Sequence, residues 1–155
     1  MAQGNMLKQR ISAGGIVLKN NRILLVHHYQ PDKFDFWVLP GGGVEGVEGL
    51  FKAAEREVFE ETNLTVTAVK IAYIEDFIDE GNYVCKFWVY CRLDHGNLSL
   101  AHKDAAEPFL QAAKFFSRAE IQTLNVFPTI LKDKFWQDLE TEFSRIKYLG
   151  FSQYG

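Results

Sequence analysis

The feature that most constrains this 155-residue chain is residues 41–64, a glycine-rich stretch followed by a predicted helix. The helix carries Glu57, Glu60 and Glu61, and at about 3.6 residues per turn this spacing puts all three acids on one face. Like charges at this spacing repel each other and destabilise an isolated helix. A site for a hard divalent cation needs such a group, because Mg²⁺ binds carboxylate and phosphate oxygens. The segment therefore predicts a cation site on this helix.

The composition predicts one domain that spans residues 1–155. The chain is 47% hydrophobic and 24% charged, which is enough apolar material for a single core. Its net charge of −3 and the lack of a basic run argue against binding of polymeric nucleic acid, but not against a single nucleotide. The N-terminus lacks the apolar core of a signal peptide, and no apolar run is long enough to span a membrane. Cys85 and Cys91 are expected to be reduced and buried. We therefore expect a cytoplasmic enzyme or binding protein without a membrane partner.

Hydrophobic alternation and turn residues predict a set of strands at residues 10–18, 22–28, 37–39, 66–69, 72–78, 83–93 and 112–116. Asn20 and Asn21 mark the turn of the first hairpin, and residues 30–36 are interpreted as a loop. Together with the helices this pattern indicates one mixed α and β domain.

Three helices are predicted. The first begins after Gly49, an acceptable N-cap, and ends at Asn63, which tolerates the left-handed conformation of a helix end. A capping box at Ser117 opens a short second helix. Pro128 is predicted to begin a final helix that continues to about Lys147 with an apolar stripe along one side.

The pattern within residues 41–64 resembles the signature of the Nudix hydrolase family. That signature is a glycine, five residues, a glutamate, seven residues, Arg-Glu, an aliphatic residue, one residue, Glu-Glu, one residue, a glycine and an aliphatic residue. This chain has Gly42, Glu48 and then REVFEETNL at residues 56–64, with every spacing preserved. Asn63 stands where the family has glycine, and because Asn can end a helix in the same way we expect the chemistry to be retained. The flanking stretches are also similar, so the resemblance covers nearly the whole chain.

The resemblance implies a Nudix fold of class α+β, an α/β/α sandwich with a mixed β-sheet between helices. It also implies metal-dependent hydrolysis of a nucleoside diphosphate linked to another group, with water attacking phosphorus. The expected cofactor is Mg²⁺, with Mn²⁺ as the alternative. The implied metal ligands are Gly41, Glu57, Glu60 and Glu61. Which of these acids bridges two ions is left open.

The catalytic residues implied by the resemblance are Glu60, Glu57, Arg56 and Glu107. Arg56 is expected to pair with Glu48, because its planar fork suits bidentate binding of a carboxylate. The general base is either a glutamate of the signature or an acid on the loop before residues 112–116, where Asp104 and Glu107 lie. Glu107 is the favoured candidate.

The predicted substrate-binding residues are Gly42, Glu48, Phe34, Phe36 and His28. The alternative for each aromatic residue is packing in the core. We expect a small-molecule nucleotide substrate, such as a nucleoside triphosphate, a nucleotide sugar or ADP-ribose, and a protein that is a monomer or a homodimer. The alternative function is a non-catalytic nucleotide sensor with the Nudix fold. Such modules usually lose the signature acids, which this chain retains.

Overall fold

The computed structural model describes residues 6–103 and 107–153. Within these residues the strands are β1 (Lys8–Lys19), β2 (Arg22–Gln30), β3 (Phe34–Val38), β4 (Gly41–Gly43), β5 (Thr65–Asp79), β6 (Asn82–His95), β7 (Leu110–Phe116), β8 (Val126–Phe127) and β9 (Lys147–Gln153). The helices are α1 (Leu50–Thr62), α2 (Arg118–Ile121) and α3 (Phe135–Glu140), with a 3₁₀ turn at Thr129–Lys132.

The strands form a mixed sheet in the order β8-β3-β2-β1-β6-β5-β9, and β4 and β7 pair with β1 and β2 outside this path. The long strand β1 runs parallel to β6 on one edge. On its other edge β1 pairs antiparallel first with β4 and then with β2. The sheet therefore divides along β1, and α1 follows β4 after a short connection.

Apolar side chains form a core on each face of the sheet. One core includes Tyr73 and Trp88 of the sheet and Phe135 of α3. The other packs Ala53 and Val58 of α1 against the sheet. Helices therefore cover both faces, and the predicted α+β sandwich with a mixed sheet between helices is confirmed.

The predicted ends of several elements are confirmed. Asn20 and Asn21 both have positive φ, as a tight hairpin between β1 and β2 requires. Asn63 is left-handed, with φ 68°. Ser117 and Glu120 form both hydrogen bonds of a capping box at the start of α2. Local sequence signals therefore determine these boundaries.

Two strand predictions need correction. The loop predicted at residues 30–36 is shorter, because β3 already begins at Phe34. Phe34 and Phe36 therefore lie on a strand that pairs with β2. The two strands expected at residues 66–69 and 72–78 are one strand, β5, in which register shifts replace the expected break.

The predicted final helix is wrong. α3 ends at Glu140, and Glu142 and Phe143 both adopt positive φ. Phe143 is then buried in the core beside α3, and the chain continues as β9, parallel to β5. The free edge of β5 stabilises a strand where local spacing alone favoured a helix.

Among the described residues, no helix is both long and apolar enough to cross a membrane.

Candidate active site

Helix α1 is packed so that its acidic residues have a fixed position beside the glycine strand β4. Ala53 and Val58 are fully buried against the sheet. Gly15 permits this contact, since a Cβ at that position would lie 2.5 Å from Cγ2 of Val58. At the other end of α1, the Asn63 N–H donates to the carbonyl of Phe59 at 2.8 Å. Close packing and a defined helix end therefore set the direction of the acids.

The three acids of α1 differ in burial. Glu57 and Glu61 are only 5% and 1% exposed, whereas Glu60 is partly exposed. Glu61 Oε1 accepts a hydrogen bond from the Gly41 N–H at 2.7 Å. Glu61 Oε2 is buried and has no hydrogen-bond partner among the described residues. A Cβ on Gly42 would lie 2.6 Å from Glu57 Oε1, so a larger residue at this position would displace the carboxylate.

Arg56 connects the loop after β4 to the acids of α1. Its Nε and Nη2 donate to the Glu48 carboxylate, with the shortest bond at 2.6 Å, so the expected pairing of Arg56 with Glu48 is present. Nη2 also donates to the Gly43 carbonyl at 3.0 Å. Nη1 donates to Glu57 at 3.0 Å and to Glu60 at 3.2 Å. The guanidinium therefore positions two of the three acids and ties them to the loop.

Glu107, just before β7, is electrostatically coupled to the buried acids. Burial raises the pKa of Glu57 to about 7, Arg56 opposes this shift, and the negative charges of Glu60 and Glu107 add to it. Burial also raises the pKa of Glu61, and the charge of Glu107 is the next contribution. The fold therefore brings Glu107 toward the acids. Asp104, the other predicted candidate for the general base, lies outside the described residues.

The carboxylate oxygens of α1 are suitable ligands for a divalent cation, but some of them accept hydrogen bonds from Arg56 in this structure. In the described part of the chain, no group of three His, Cys, Asp or Glu side chains converges closely enough to bind a metal. Glu57 and Glu60 instead share the Nη1 of Arg56. Burial and the neighbouring carboxylates raise the pKa values of Glu57 and Glu61, and the charges of Arg56 and Lys86 offset these shifts only in part. Glu61 Oε2 is also unpartnered among the described residues, so the site favours additional positive charge. A hard cation with oxygen ligands would supply that charge.

Lys86, in the first half of β6, was not predicted from the sequence. Its Nζ lies 4.3 Å from the ring centroid of Trp88, and a Cβ on Gly41 would lie 3.1 Å from the same nitrogen. Burial lowers the pKa of Lys86, while the charges of Glu61 and Glu75 act in the opposite direction. The available signal was a single charge within the otherwise apolar run YVCKFWVYC. The structure thus adds a cation beside the predicted metal ligands.

His28, Phe34 and Phe36 lie in an aromatic cluster with Phe109. The ring centroids of His28 lie 5.2 Å from those of both Phe36 and Phe109, and Phe34 contacts the same two rings. Burial lowers the pKa of His28 to about 4, and the charge of Lys86 contributes to the shift. His28 is therefore neutral near pH 7, and its Nε2 is buried without a hydrogen-bond partner among the described residues. The charge of Lys86 therefore contributes both to the pKa of His28 in this cluster and to the pKa of Glu61.

The raised pKa of Glu57 predicts that the metal-free protein loses stability as the pH rises. Between the ordinary pKa of 4.5 and the folded value of about 7, the folded state binds more protons than the unfolded state. The free energy of unfolding should therefore be highest below pH 4.5 with respect to this group and should fall as the pH rises to 7. The decrease attributable to Glu57 is on the order of 3 kcal/mol. Urea unfolding at pH 5 and pH 7.5 with a chelator measures it. Glu57→Gln should have a shallower pH dependence, and an unchanged dependence would contradict the assignment.

Replacing Arg56 by alanine should destabilise the protein by about 2–3 kcal/mol. This is below the loss of about 3–5 kcal/mol typical of a fully buried pair, because the side chain is 22% exposed. The loss arises because the Glu48 carboxylate keeps its charge without its partner, and because Glu57 loses the Arg56 hydrogen bond that stabilises its charged form. Urea unfolding at pH 7.5 measures this loss. Arg92→Ala is the matched control, since Arg92 forms an exposed pair with Asp94 and should change stability by less than about 1 kcal/mol. Equal losses in both variants would refute the bracing role of Arg56.

Comparison with protein families identifies a NUDIX domain at residues 8–138. The chain is also 35% identical over 68 residues to the RNA pyrophosphohydrolase of Rhodopseudomonas palustris (strain HaA2). That match spans 44% of this chain and 39% of the relative. The match to this relative is therefore partial, whereas the family match covers most of the chain.

Solved structures with similar folds extend over most of the chain. A NUDIX hydrolase from Nitrosomonas europaea has a TM-score of 0.71 and 18% identity, covering 95% of this chain and 80% of its own. An ADP-ribose pyrophosphatase from Streptococcus suis 89-1591 has a TM-score of 0.64 and 20% identity, covering 92% and 98%. A MutT NUDIX hydrolase from Burkholderia pseudomallei has a TM-score of 0.65 and 21% identity, covering 81% and 97%. At these identities the similarity establishes the fold, and the family match at residues 8–138 establishes membership: this chain belongs to the NUDIX hydrolase family.

Proposed function

We propose that this protein is a Mg²⁺-dependent pyrophosphohydrolase that cleaves a nucleoside diphosphate linked to another group. The observation that carries this proposal is the pair of buried carboxylates, Glu57 and Glu61, held beside β4 with one oxygen of Glu61 left without a described partner. Such a pair is unfavourable without a compensating cation. A protein that only packed this helix would be more stable with apolar residues at these positions.

The proposed ligands of Mg²⁺ are Glu57, Glu60, Glu61 and the backbone carbonyl of Gly41, whose N–H donates to Glu61. When bound, the cation neutralises phosphate charge and lowers the pKa of water. Arg56 orients Glu57 and Glu60 through Nη1 and anchors to Glu48 through its other nitrogens. This bracing limits the movement of the acids while the anhydride bond breaks.

Glu107 is the proposed general base. Its coupling to Glu57 and Glu61 supports a position near the reacting centre. Glu107 would accept a proton from the attacking water, whose oxygen forms a bond to phosphorus as the bond to the leaving phosphate oxygen breaks. A base in this position typically contributes a factor of about 10²–10⁴ to the rate.

We further propose that His28, Phe34 and Phe36 contribute to the substrate side of the site, together with Gly42 and Glu48 at the glycine loop. The neutral His28 ring and its unpartnered Nε2 suit an uncharged hydrogen-bonding group better than a phosphate. The proposed substrate is a small nucleotide, the proposed location is the cytoplasm, and the proposed assembly is a monomer or homodimer. The net charge of −3 supports a small ligand over polymeric nucleic acid.

A substrate panel with identification of products tests the function. The panel contains nucleoside triphosphates, nucleotide sugars, ADP-ribose, dinucleoside polyphosphates and, because of the named relative, an RNA with a 5′ pyrophosphate group. We expect Mg²⁺-dependent cleavage of a phosphoric anhydride bond in at least one small nucleotide. Binding of nucleotides without turnover would instead favour a nucleotide sensor.

A further inference from the structure

A cavity of about 340 Å³ lies between β5, β8, the 3₁₀ turn and β9. Its apolar wall contains Phe127, Pro128, Ile130 and Leu149, and its polar wall includes Glu75 and Asp133. Small-molecule sites in proteins commonly have volumes of about 300–1,000 Å³ and combine an apolar lining with a few polar groups. The volume of this cavity therefore fits a small ligand, and its lining combines apolar and polar side chains in similar numbers.

One pair of residues in the sheet lies between the cavity and the acids of α1. Glu75, which lines the cavity, is directly opposite Lys86 in the antiparallel register of β5 and β6. Residues paired in this way lie on the same face, with Cβ atoms about 5 Å apart. The indole N–H of Trp88 donates to Glu75 at 2.9 Å, and the Lys86 ammonium lies over the same indole ring. One rigid aromatic side chain therefore positions both residues.

Lys86 also reaches toward the acids on its other side. Its Nζ would lie 3.1 Å from a Cβ on Gly41, the residue whose N–H binds Glu61. Among the described residues, Lys86 Nζ lies over the ring of Trp88 and forms no ion pair with a carboxylate, although the charges of Glu61 and Glu75 act on it. A cation placed between the acids and the cavity, without a carboxylate partner, is suited to bind a phosphate group.

The side chains that line the cavity favour the nucleoside end of a nucleotide substrate over its phosphorylated end. The ring of Phe127 offers a flat surface for stacking, and the aliphatic side chains beside it offer apolar contact. The carboxylates of Glu75 and Asp133 repel additional phosphates and accept hydrogen bonds from N–H or O–H donors. Among the described residues that line the cavity, Lys134 carries a positive charge, and it is exposed to solvent. A nucleobase with its ribose matches these walls better than a second phosphorylated group.

We propose that this cavity binds the nucleoside part of the substrate and that Lys86 binds the phosphate chain at its inner boundary, between the nucleoside and the acids of α1. This inference rests on the proposed function, because it assumes a nucleotide substrate. It also links the aromatic cluster to the cavity, since Phe36 contacts Phe127 with ring centroids 5.4 Å apart.

Calorimetric titration of the full chain tests the inference without requiring turnover. The probes are AMP, GMP, CMP and UMP, together with ribose 5-phosphate and inorganic pyrophosphate. Thr129→Trp places a large side chain at an exposed residue of the cavity wall. Thr123→Trp is the matched control at an exposed residue outside the cavity. Lys86→Met tests the phosphate contact.

We expect at least one nucleoside monophosphate to bind the wild type more tightly than ribose 5-phosphate does. Thr129→Trp should weaken that nucleotide about tenfold or more and leave pyrophosphate binding unchanged, whereas Thr123→Trp should change neither. Lys86→Met should weaken pyrophosphate and the nucleotide alike. Equal effects of the two tryptophan variants, or no binding of any nucleotide by the wild type, would overturn the inference. Nucleotide binding that is sensitive to Thr129→Trp in a protein that hydrolyses nothing would uphold the cavity and refute the proposed hydrolase.

Discussion

Glu60→Gln should lower kcat by about 10²- to 10³-fold and leave the protein folded. Glu60 is a proposed metal ligand, and its loss would remove several kcal/mol of stabilisation from the charge that develops in the transition state. Glu60 is the most exposed of the three acids, so its replacement costs little in packing. Steady-state kinetics with Mg²⁺ measures the activity, and urea unfolding measures the stability.

Glu55→Gln is the control for this experiment. Glu55 lies on the same helix, but its carboxylate accepts a hydrogen bond from the Ala68 N–H at 2.8 Å and is not among the proposed ligands. Glu55→Gln should reduce stability modestly and keep kcat near the wild-type value. If Glu60→Gln retained full Mg²⁺-dependent activity, the proposed ligand set would be refuted.

Glu107→Gln should lower kcat by about 10²- to 10⁴-fold if Glu107 is the general base. The amide cannot accept the proton from water at the required step, whereas it preserves the size of the side chain. The acidic limb of the pH–rate profile should also change, because that limb reports the base. Kinetics over the range pH 5 to 9 measures both effects.

Mn²⁺ binding distinguishes a base from a metal ligand. Calorimetry should give a Mn²⁺ affinity for Glu107→Gln close to the wild-type value, and lower affinity for Glu60→Gln. Glu140→Gln, an exposed acid on α3, is the control and should leave kcat and Mn²⁺ affinity unchanged. A near-normal kcat in Glu107→Gln would remove Glu107 from the role of base.

The helix that carries the acids could be predicted because its determinants are local. Gly49 and Asn63 mark its ends, and the spacing of the acids follows from the helical repeat. The pairing of Arg56 with Glu48 could be expected for a related reason, since the two residues lie within the same signature and have matching chemistry. None of these features depends on how distant strands pair.

The burial of the acids and the position of Lys86 could not be predicted from local sequence. Glu57 and Glu61 are buried because β4 folds back against β1 and brings its glycines onto α1. Lys86 reaches the site because β6 lies parallel to β1, which places it opposite Ser12. Both depend on contacts between residues far apart in the chain.

The C-terminal region shows where local spacing misleads. Leu131, Phe135, Leu139 and Phe143 recur at helical intervals, yet they are distributed over a 3₁₀ turn, α3 and a left-handed turn. Tertiary contacts decide the outcome, because β9 completes the edge of β5 and Phe143 fills the core beside Tyr73. Part of the cavity wall, including Leu149, comes from this strand and was therefore outside the prediction.

The most direct test of the central claim is hydrolysis of the best panel substrate in ¹⁸O-labelled water, with Mg²⁺ and with a chelator. Because water is proposed to attack phosphorus, one phosphate-containing product should carry a single ¹⁸O atom, detected by mass spectrometry. The label should appear with Mg²⁺, should be absent with the chelator and should be strongly reduced in Glu60→Gln. Products without ¹⁸O on phosphorus, or equal turnover in the chelator, would contradict metal-dependent attack of water at phosphorus.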